Sequence, residues 1–78
     1  MHELAAAQDV LRAVLAAAEE QDAERITAIA LKIGELYAAE NLQDLIAIAA
    51  KGTIAEGANV EAEGVPGADI QVASIDIE

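Results

Sequence analysis

The chain has 78 residues, of which fifteen are acidic and four are basic, so its formal net charge at pH 7 is −11. This length predicts one small domain, and the acidic charge argues against nucleic acid and anionic membranes as partners. The sequence lacks cysteine, a signal peptide and any apolar run long enough to cross a bilayer, which excludes disulfides and thiolate zinc sites and predicts a cytoplasmic protein.

The first half of the chain predicts a helix followed by a strand. From Leu4 to about Glu20, apolar residues recur at three- and four-residue intervals, as is typical of an amphipathic helix. From Ile26 to Ile33 the period changes to two, which predicts a strand. The bulkier face of this strand, expected to pack on the helices, carries Thr27, Ile29, Leu31 and Ile33.

A second helix is predicted from about Leu42 to Lys51. Asn41 is its expected N-cap, because Asp44 follows three residues later, and Gly52 fits the position after its end. The alternation of small apolar and polar residues over 58–63 then indicates a half-exposed strand.

The last predicted strand runs from Asp69 to Ile77, after a turn at residues 64–67 that contains Pro66 and Gly67. Its apolar residues change parity part-way along, so a bulge is expected near Ala73 and Ser74.

The order helix, strand, helix, strand, strand predicts an α+β fold. The strand-helix-strand crossover makes the first two strands parallel if they share a sheet, and the turn at 64–67 makes the last two antiparallel. We therefore expect a mixed three-stranded sheet with both helices packed on one face.

The sequence contains no arrangement of residues that predicts an enzyme. His2 is the only histidine and lies at the N-terminus, and Ser74, the only serine, lies inside a predicted strand without a nearby base. No nucleophile-elbow, phosphate-binding or dinucleotide-binding pattern occurs.

The N-terminal tripeptide offers a different chemistry, that of a metal site. The amine of Met1, the main-chain nitrogens of His2 and Glu3, and the imidazole of His2 form a set of four nitrogens. Square-planar nitrogen coordination suits Ni(II) or Cu(II). Such a site needs a free N-terminus and weakens as the pH falls, because its nitrogens must lose protons.

Four segments place this tripeptide in a wider context: MHEL at 1–4, LKIGEL at 31–36, KGTIAEGA at 51–58 and VASIDIE at 72–78. In this order they resemble the hydrogenase nickel-incorporation proteins, the HypA-type metallochaperones, over nearly the whole chain. The resemblance implies a cytoplasmic, non-enzymatic protein that binds nickel at Met-His-Glu. It would pass the metal toward hydrogenase, sometimes urease, maturation together with a GTPase partner and a hydrogenase precursor.

The resemblance also implies roles for individual residues. His2 corresponds to the principal nickel ligand, with Met1 and Glu3 beside it. Some members use a further acidic residue shortly after the Gly-Glu strand end, and Glu40 lies at that place. The alternative for Glu40 is a solvated carboxylate just before the second helix.

The chain departs from the family pattern between its last two strands. Members insert there a zinc domain with two Cys-x-x-Cys pairs, whereas this sequence has a short turn near 64–68. We therefore expect a single nickel-binding-type domain over residues 1–78 and no zinc. An engineered or minimised nickel domain and a divergent natural paralogue both fit this pattern.

Three functional hypotheses follow. The first is a nickel-binding metallochaperone-like domain that uses the N-terminal nitrogens. The second is a structural scaffold or self-associating homo-oligomer, which would assemble through open sheet edges or the poorly covered sheet face. The third assigns the apolar helix faces, including Leu4 and Leu11, to contact with a GTPase partner.

Overall fold

The computed structural model describes residues 3–78, which form two helices and a three-stranded mixed sheet. In chain order the elements are α1 (Glu3–Glu20), β1 (Ile26–Gly34), α2 (Ala39–Ala49), β2 (Asn59–Val65) and β3 (Ile70–Ile77). The predicted α+β class and element order are confirmed. Neither helix in this part of the chain is both long and apolar enough to cross a membrane.

The central strand of the sheet is β1, in the order β2-β1-β3. It pairs with β2 in parallel and with β3 in antiparallel fashion. The strands β2 and β3 therefore run in opposite directions, as the turn between them predicts, but they are not neighbours. Residues 66–69, which connect them, must pass across the end of β1.

Gly34 ends β1 at the place where this connection crosses. Its N–H donates a hydrogen bond to the carbonyl of Asp69 at 2.7 Å. A Cβ on residue 34 would lie 2.5 Å from the carbonyl oxygen of Gly67 and 2.9 Å from the amide nitrogen of Asp69. Since both are backbone atoms, a side chain fits here only if the connection moves.

The pairing of β1 with β3 contains two irregularities. Ala30 pairs with Ser74 and Leu31 with Val72, so Ala73 is an extra residue in β3. This bulge confirms the expectation drawn from the change of parity, and it brings the apolar residues on both sides of Ala73 to the helix-covered face.

The second irregularity lies at Thr27, where the prediction of the buried face is wrong. Ile26 pairs with Ile77 and Ala28 with Asp76, so Thr27 is an extra residue in β1. Its side chain is exposed and its Oγ1 donates to the carbonyl of Asp76 at 3.3 Å, whereas Ile26 is fully buried. One extra residue reverses the faces of the strand, which strict alternation does not anticipate.

The core lies between the helices and one face of the sheet. The two helices pack against each other, and the side chain of Gln43 in α2 donates to the carbonyl of Val60 in β2 at 2.6 Å. Leu4, where the predicted amphipathic helix begins, is 54% exposed, whereas Val10 of α1 is buried. The buried apolar side chains that form the core are Ala7, Val10, Leu11, Val14, Ala18, Ile26, Ile29, Leu31, Ile33, Leu42, Ile46, Ala50 and Ala55.

Candidate metal centre

Glu3 is the first residue of α1 and ties the N-terminal end of that helix to the segment before α2. Its side chain is half-buried, and Oε2 accepts a hydrogen bond from the backbone N–H of Ala38 at 3.3 Å. Ala38 is in an extended conformation, with φ −85° and ψ 103°, and its carbonyl accepts the first backbone bond of α2 from the N–H of Leu42. The start of α1 therefore lies beside the start of α2.

The start of α2 differs from the sequence prediction. The helix begins at Ala39, so Asn41 lies within its first turn and is not the N-cap. Ala38 occupies the cap position and has no side-chain oxygen with which to cap. The carboxylate of Glu3 accepts a hydrogen bond from a backbone N–H at the N-terminal end of α2. In other helices the side chain of the N-cap residue usually provides such an acceptor.

Glu40 lies in the first turn of α2, two residues after Ala38, and is exposed. It is therefore part of the helix and not a residue that precedes it, because the helix begins earlier than predicted. A carboxylate in the first turn interacts favourably with the helix dipole, so Glu40 also has a structural role that needs no metal.

Met1 and His2, the first two predicted ligands, lie outside the described residues. Of the predicted set, the structure places Glu3 against Ala38 and Glu40 within the following turn. Within residues 3–78 no group of three or more histidine, cysteine, aspartate or glutamate side chains is placed to hold a metal ion. A metal at this end would thus depend on donors from the N-terminal dipeptide.

Glu35 and Glu56, two other acidic residues of the segments that resemble the family, take no part in the contact between Glu3 and Ala38. Glu35 is exposed in the turn after β1. Glu56 accepts a hydrogen bond from the backbone N–H of Gly52 through Oε1 at 3.2 Å, which stabilises the connection after α2. Glu35 is therefore a surface residue and Glu56 has a structural role.

A shallow apolar groove of about 330 Å³ lies between α1 and β3. Its carboxylates, Asp9 and Asp69, are both exposed, and most of its other lining side chains are alanine or branched aliphatic residues. This lining lacks the convergent polar groups that a small-molecule or catalytic site requires. Its full lining is Ala6, Asp9, Val10, Ala13, Tyr37, Ala68, Asp69, Ile70 and Val72.

Comparison with known proteins bears on the same N-terminal region. A family model described as hydrogenase/urease nickel incorporation, metallochaperone, hypA, matches residues 1–70. The chain belongs to the HypA family. The match begins at Met1 and so includes the tripeptide and both helices.

Curated HypA relatives give the same result. The chain is 44% identical to the hydrogenase maturation factor HypA of Archaeoglobus fulgidus, over 78% of this chain and 57% of the relative. It is 45% identical to that of Methanopyrus kandleri, over 81% and 46%, and 37% identical to that of Methanothermobacter thermautotrophicus, over 85% and 56%. The chain thus spans about half the length of these relatives.

Family membership confirms two predictions made from the sequence. The resemblance to HypA-type proteins is borne out, and the description of this family as a metallochaperone agrees with the prediction of a non-enzymatic protein. Sequence reasoning did not find Ala38. An alanine carries no functional group, so no motif could have drawn attention to the backbone N–H through which it contacts Glu3.

Proposed function

We propose that this HypA-family domain binds Ni(II) at its N-terminus and delivers it during hydrogenase maturation. The observation that carries the proposal is the family match over residues 1–70, which includes Met1-His2-Glu3. The relatives named above are hydrogenase maturation factors, which supports hydrogenase as the client. The cytoplasm is the compartment that we propose, as the resemblance to HypA-type metallochaperones implies.

The proposed donors are the amine of Met1, the main-chain nitrogens of His2 and Glu3, and the imidazole of His2. These four nitrogens suit square-planar Ni(II). The side chain of Glu3 contributes by holding the N-terminal end of α1 beside α2, since its carboxylate bonds the N–H of Ala38. Glu40, in the first turn of α2, is the proposed additional carboxylate for this end of the molecule.

Isothermal titration of the untagged chain with Ni(II) tests the N-terminal site. His2→Ala removes the imidazole, and four serines added before Met1 displace the amine. A single added residue would not do so, because His2 would become the third residue and a new amine, two amides and the imidazole would form another square-planar set. Each change should weaken binding by about tenfold or more, in line with the loss of one metal ligand. Acidification from about pH 8 to about pH 6 should also weaken binding, because the ligands bind in their deprotonated forms.

Four serines added after Glu78 are the matched control for the N-terminal extension, and they should leave nickel affinity unchanged. The square-planar assignment further requires the visible absorption of low-spin Ni(II), which should disappear in the extended chain. If His2→Ala and the N-terminal extension both bind like the parent, the proposed donor set is wrong.

The role of Glu40 needs a separate comparison. Glu40→Gln should weaken nickel binding if its carboxylate is a ligand, while the matched variant Glu35→Gln, at an exposed position of the preceding turn, should not. Equal affinity of parent and Glu40→Gln would leave Glu40 as a helix-dipole residue only.

The partners that we propose are a GTPase of the maturation machinery and a hydrogenase precursor. Among the residues suggested for such contacts, Leu4 is exposed and available, whereas Leu11 is buried in the core. A charge at Leu11 would therefore unfold the domain, and only Leu4→Asp tests a contact. Zinc has no part in this proposal, since four residues, 66–69, connect β2 to β3.

The scaffold hypothesis has one supporting observation, since β2 and β3 are both edge strands. Light scattering over a range of concentrations, with and without Ni(II), separates the two functions. Association that does not depend on nickel, together with no measurable nickel binding, would favour the scaffold.

A further inference from the structure

The face of the sheet opposite the helices is acidic. In register across the sheet, its rows are Asn59–Ala28–Asp76, Glu61–Ala30–Ser74 and Glu63–Lys32–Gln71. Apart from the half-buried alanines, all these residues are exposed. The charged side chains on these rows are three carboxylates and one ammonium group, so the face carries a net negative charge.

A trough of about 220 Å³ runs along the central strand on this face. Ala28 and Ala30 form its floor, because their side chains end at Cβ. Asn59 and Glu61 of β2 form one wall, and Ser74 and Asp76 of β3 form the other. Since neighbouring strands lie about 4.8 Å apart, the two walls are separated by roughly 10 Å.

The two carboxylates of the trough lack a cationic partner within residues 3–78. The only side-chain hydrogen bond to Glu61 in this range comes from Nδ2 of Asn59 to its Oε1 at 3.3 Å, which orients the carboxylate. The ion pair found among the described residues joins Arg12 to Asp9 on α1, away from the sheet. Lys32 is in the next row along β1, opposite Glu63.

We propose that this trough, defined by Ala28, Ala30, Glu61 and Asp76, docks an arginine-bearing segment of a basic protein partner. The aliphatic stem of an arginine would lie over the alanine methyl groups, and its guanidinium would reach the carboxylates of the walls. Arginine combines an apolar stem with a planar fork of donors that matches carboxylates. This surface is separate from the proposed nickel site.

Charge complementarity selects this occupant over the others. A second copy of the chain would bring carboxylates against carboxylates, and a nucleic acid would bring phosphates against them. A bound metal is disfavoured, because no group of three or more potential ligand side chains converges within the described residues. A basic protein segment satisfies both the carboxylate walls and the apolar floor.

The test uses the ¹⁵N-labelled chain and a blocked octapeptide of alternating arginine and threonine at about 0.15 M salt. Amide shifts should change in residues 28–32, 59–63 and 74–76. The double variant Glu61→Gln with Asp76→Asn should bind the peptide about tenfold or more weakly, since it loses charge-assisted hydrogen bonds. Ala30→Gln, which fills the trough without changing the charge, should weaken binding similarly.

Each variant has a matched control on α1. Glu19→Gln with Glu20→Gln removes the same charge from exposed positions, and Ala17→Gln adds the same side chain to an exposed alanine. Both should bind within about twofold of the parent. Equal weakening by the two double variants, shifts that map to α1 instead of the sheet, or no binding at all would overturn the proposal. If Glu61→Gln with Asp76→Asn fails to fold, the proposal is tested by the amide shifts of the parent and by the peptide affinity of Ala30→Gln.

Discussion

At the scale of single residues, Glu3 joins two parts of the molecule that are distant in sequence. Its carboxylate accepts the N–H of Ala38, a residue 35 positions later. The same residue provides a main-chain nitrogen to the proposed nickel site. Glu3 thus couples the position of the N-terminal donors to the start of α2, and the strength of this coupling can be measured.

Glu3→Ala should lower the free energy of unfolding by about 1 kcal/mol, comparable to the loss of a helix cap. Glu3→Gln should cost less, because its amide oxygen can still accept the bond from Ala38. Urea denaturation measures both changes, and hydrogen exchange at the Ala38 amide reports the bond itself.

The matched control for this comparison is Glu19→Ala, at an exposed position in the last turn of α1, which should change stability by no more than about 0.5 kcal/mol. If Glu3→Ala and Glu19→Ala behave alike and exchange at Ala38 is unchanged, the bond has no energetic importance.

At the scale of elements, the sequence predicts most of the fold where its signal is local. The periodicity of α1 and the parity change in β3 are visible in the residues, and both predictions are confirmed. The bulge at Thr27 has no comparable signal, because the residues on both sides of it suit a strand. The sequence does not signal the start of α2 at Ala39, because the acceptor at its cap comes from Glu3 and not from a neighbouring side chain.

The candidate site, like the fold, could be predicted from the sequence only where its signal is local. Its tripeptide could be recognised from residue types and from the resemblance to HypA, because both lie in the sequence itself. The hydrogen bond between Glu3 and Ala38 could not be predicted, because it depends on how α1 and α2 pack against each other.

Gly34 allows a prediction about how β1 meets the connection that crosses it. Gly34→Ala should lower the free energy of unfolding by about 2 kcal/mol or more, because the new methyl group would overlap backbone atoms of Gly67 and Asp69. Equilibrium urea unfolding, followed by circular dichroism, measures the change.

Gly64→Ala is the control, because a Cβ at that exposed position meets no atom within 4 Å and its backbone does not require glycine. It should change stability by no more than about 1 kcal/mol and can increase it by restricting the unfolded chain. Similar losses in both variants would mean that the crossing at Gly34 is not tightly packed in solution.

At the scale of the whole molecule, the net charge of −11 is carried by only 78 residues. The ion pair found within residues 3–78, between Arg12 and Asp9, is largely exposed and therefore contributes little. Repulsion among the carboxylates should then oppose folding, and mobile ions should reduce it.

The melting temperature should therefore rise between about 0.02 M and 0.5 M sodium chloride, because the screening length falls over this range. Thermal unfolding by circular dichroism measures the effect. The variant Glu19→Gln with Glu20→Gln has a net charge of −9 instead of −11, so its melting temperature should rise less with salt. A melting temperature that stays constant or falls with salt would contradict the argument.

The central position of β1 also affects the order in which the chain can fold. The strand that completes the sheet, β3, pairs Ile77 with Ile26, so its partners are separated by about two thirds of the sequence. Such non-local pairing slows folding, because a long loop must close before the contacts form. During synthesis on the ribosome, α1, β1, α2 and β2 emerge before β3, and one edge of β1 is not fully paired until residue 77 is available.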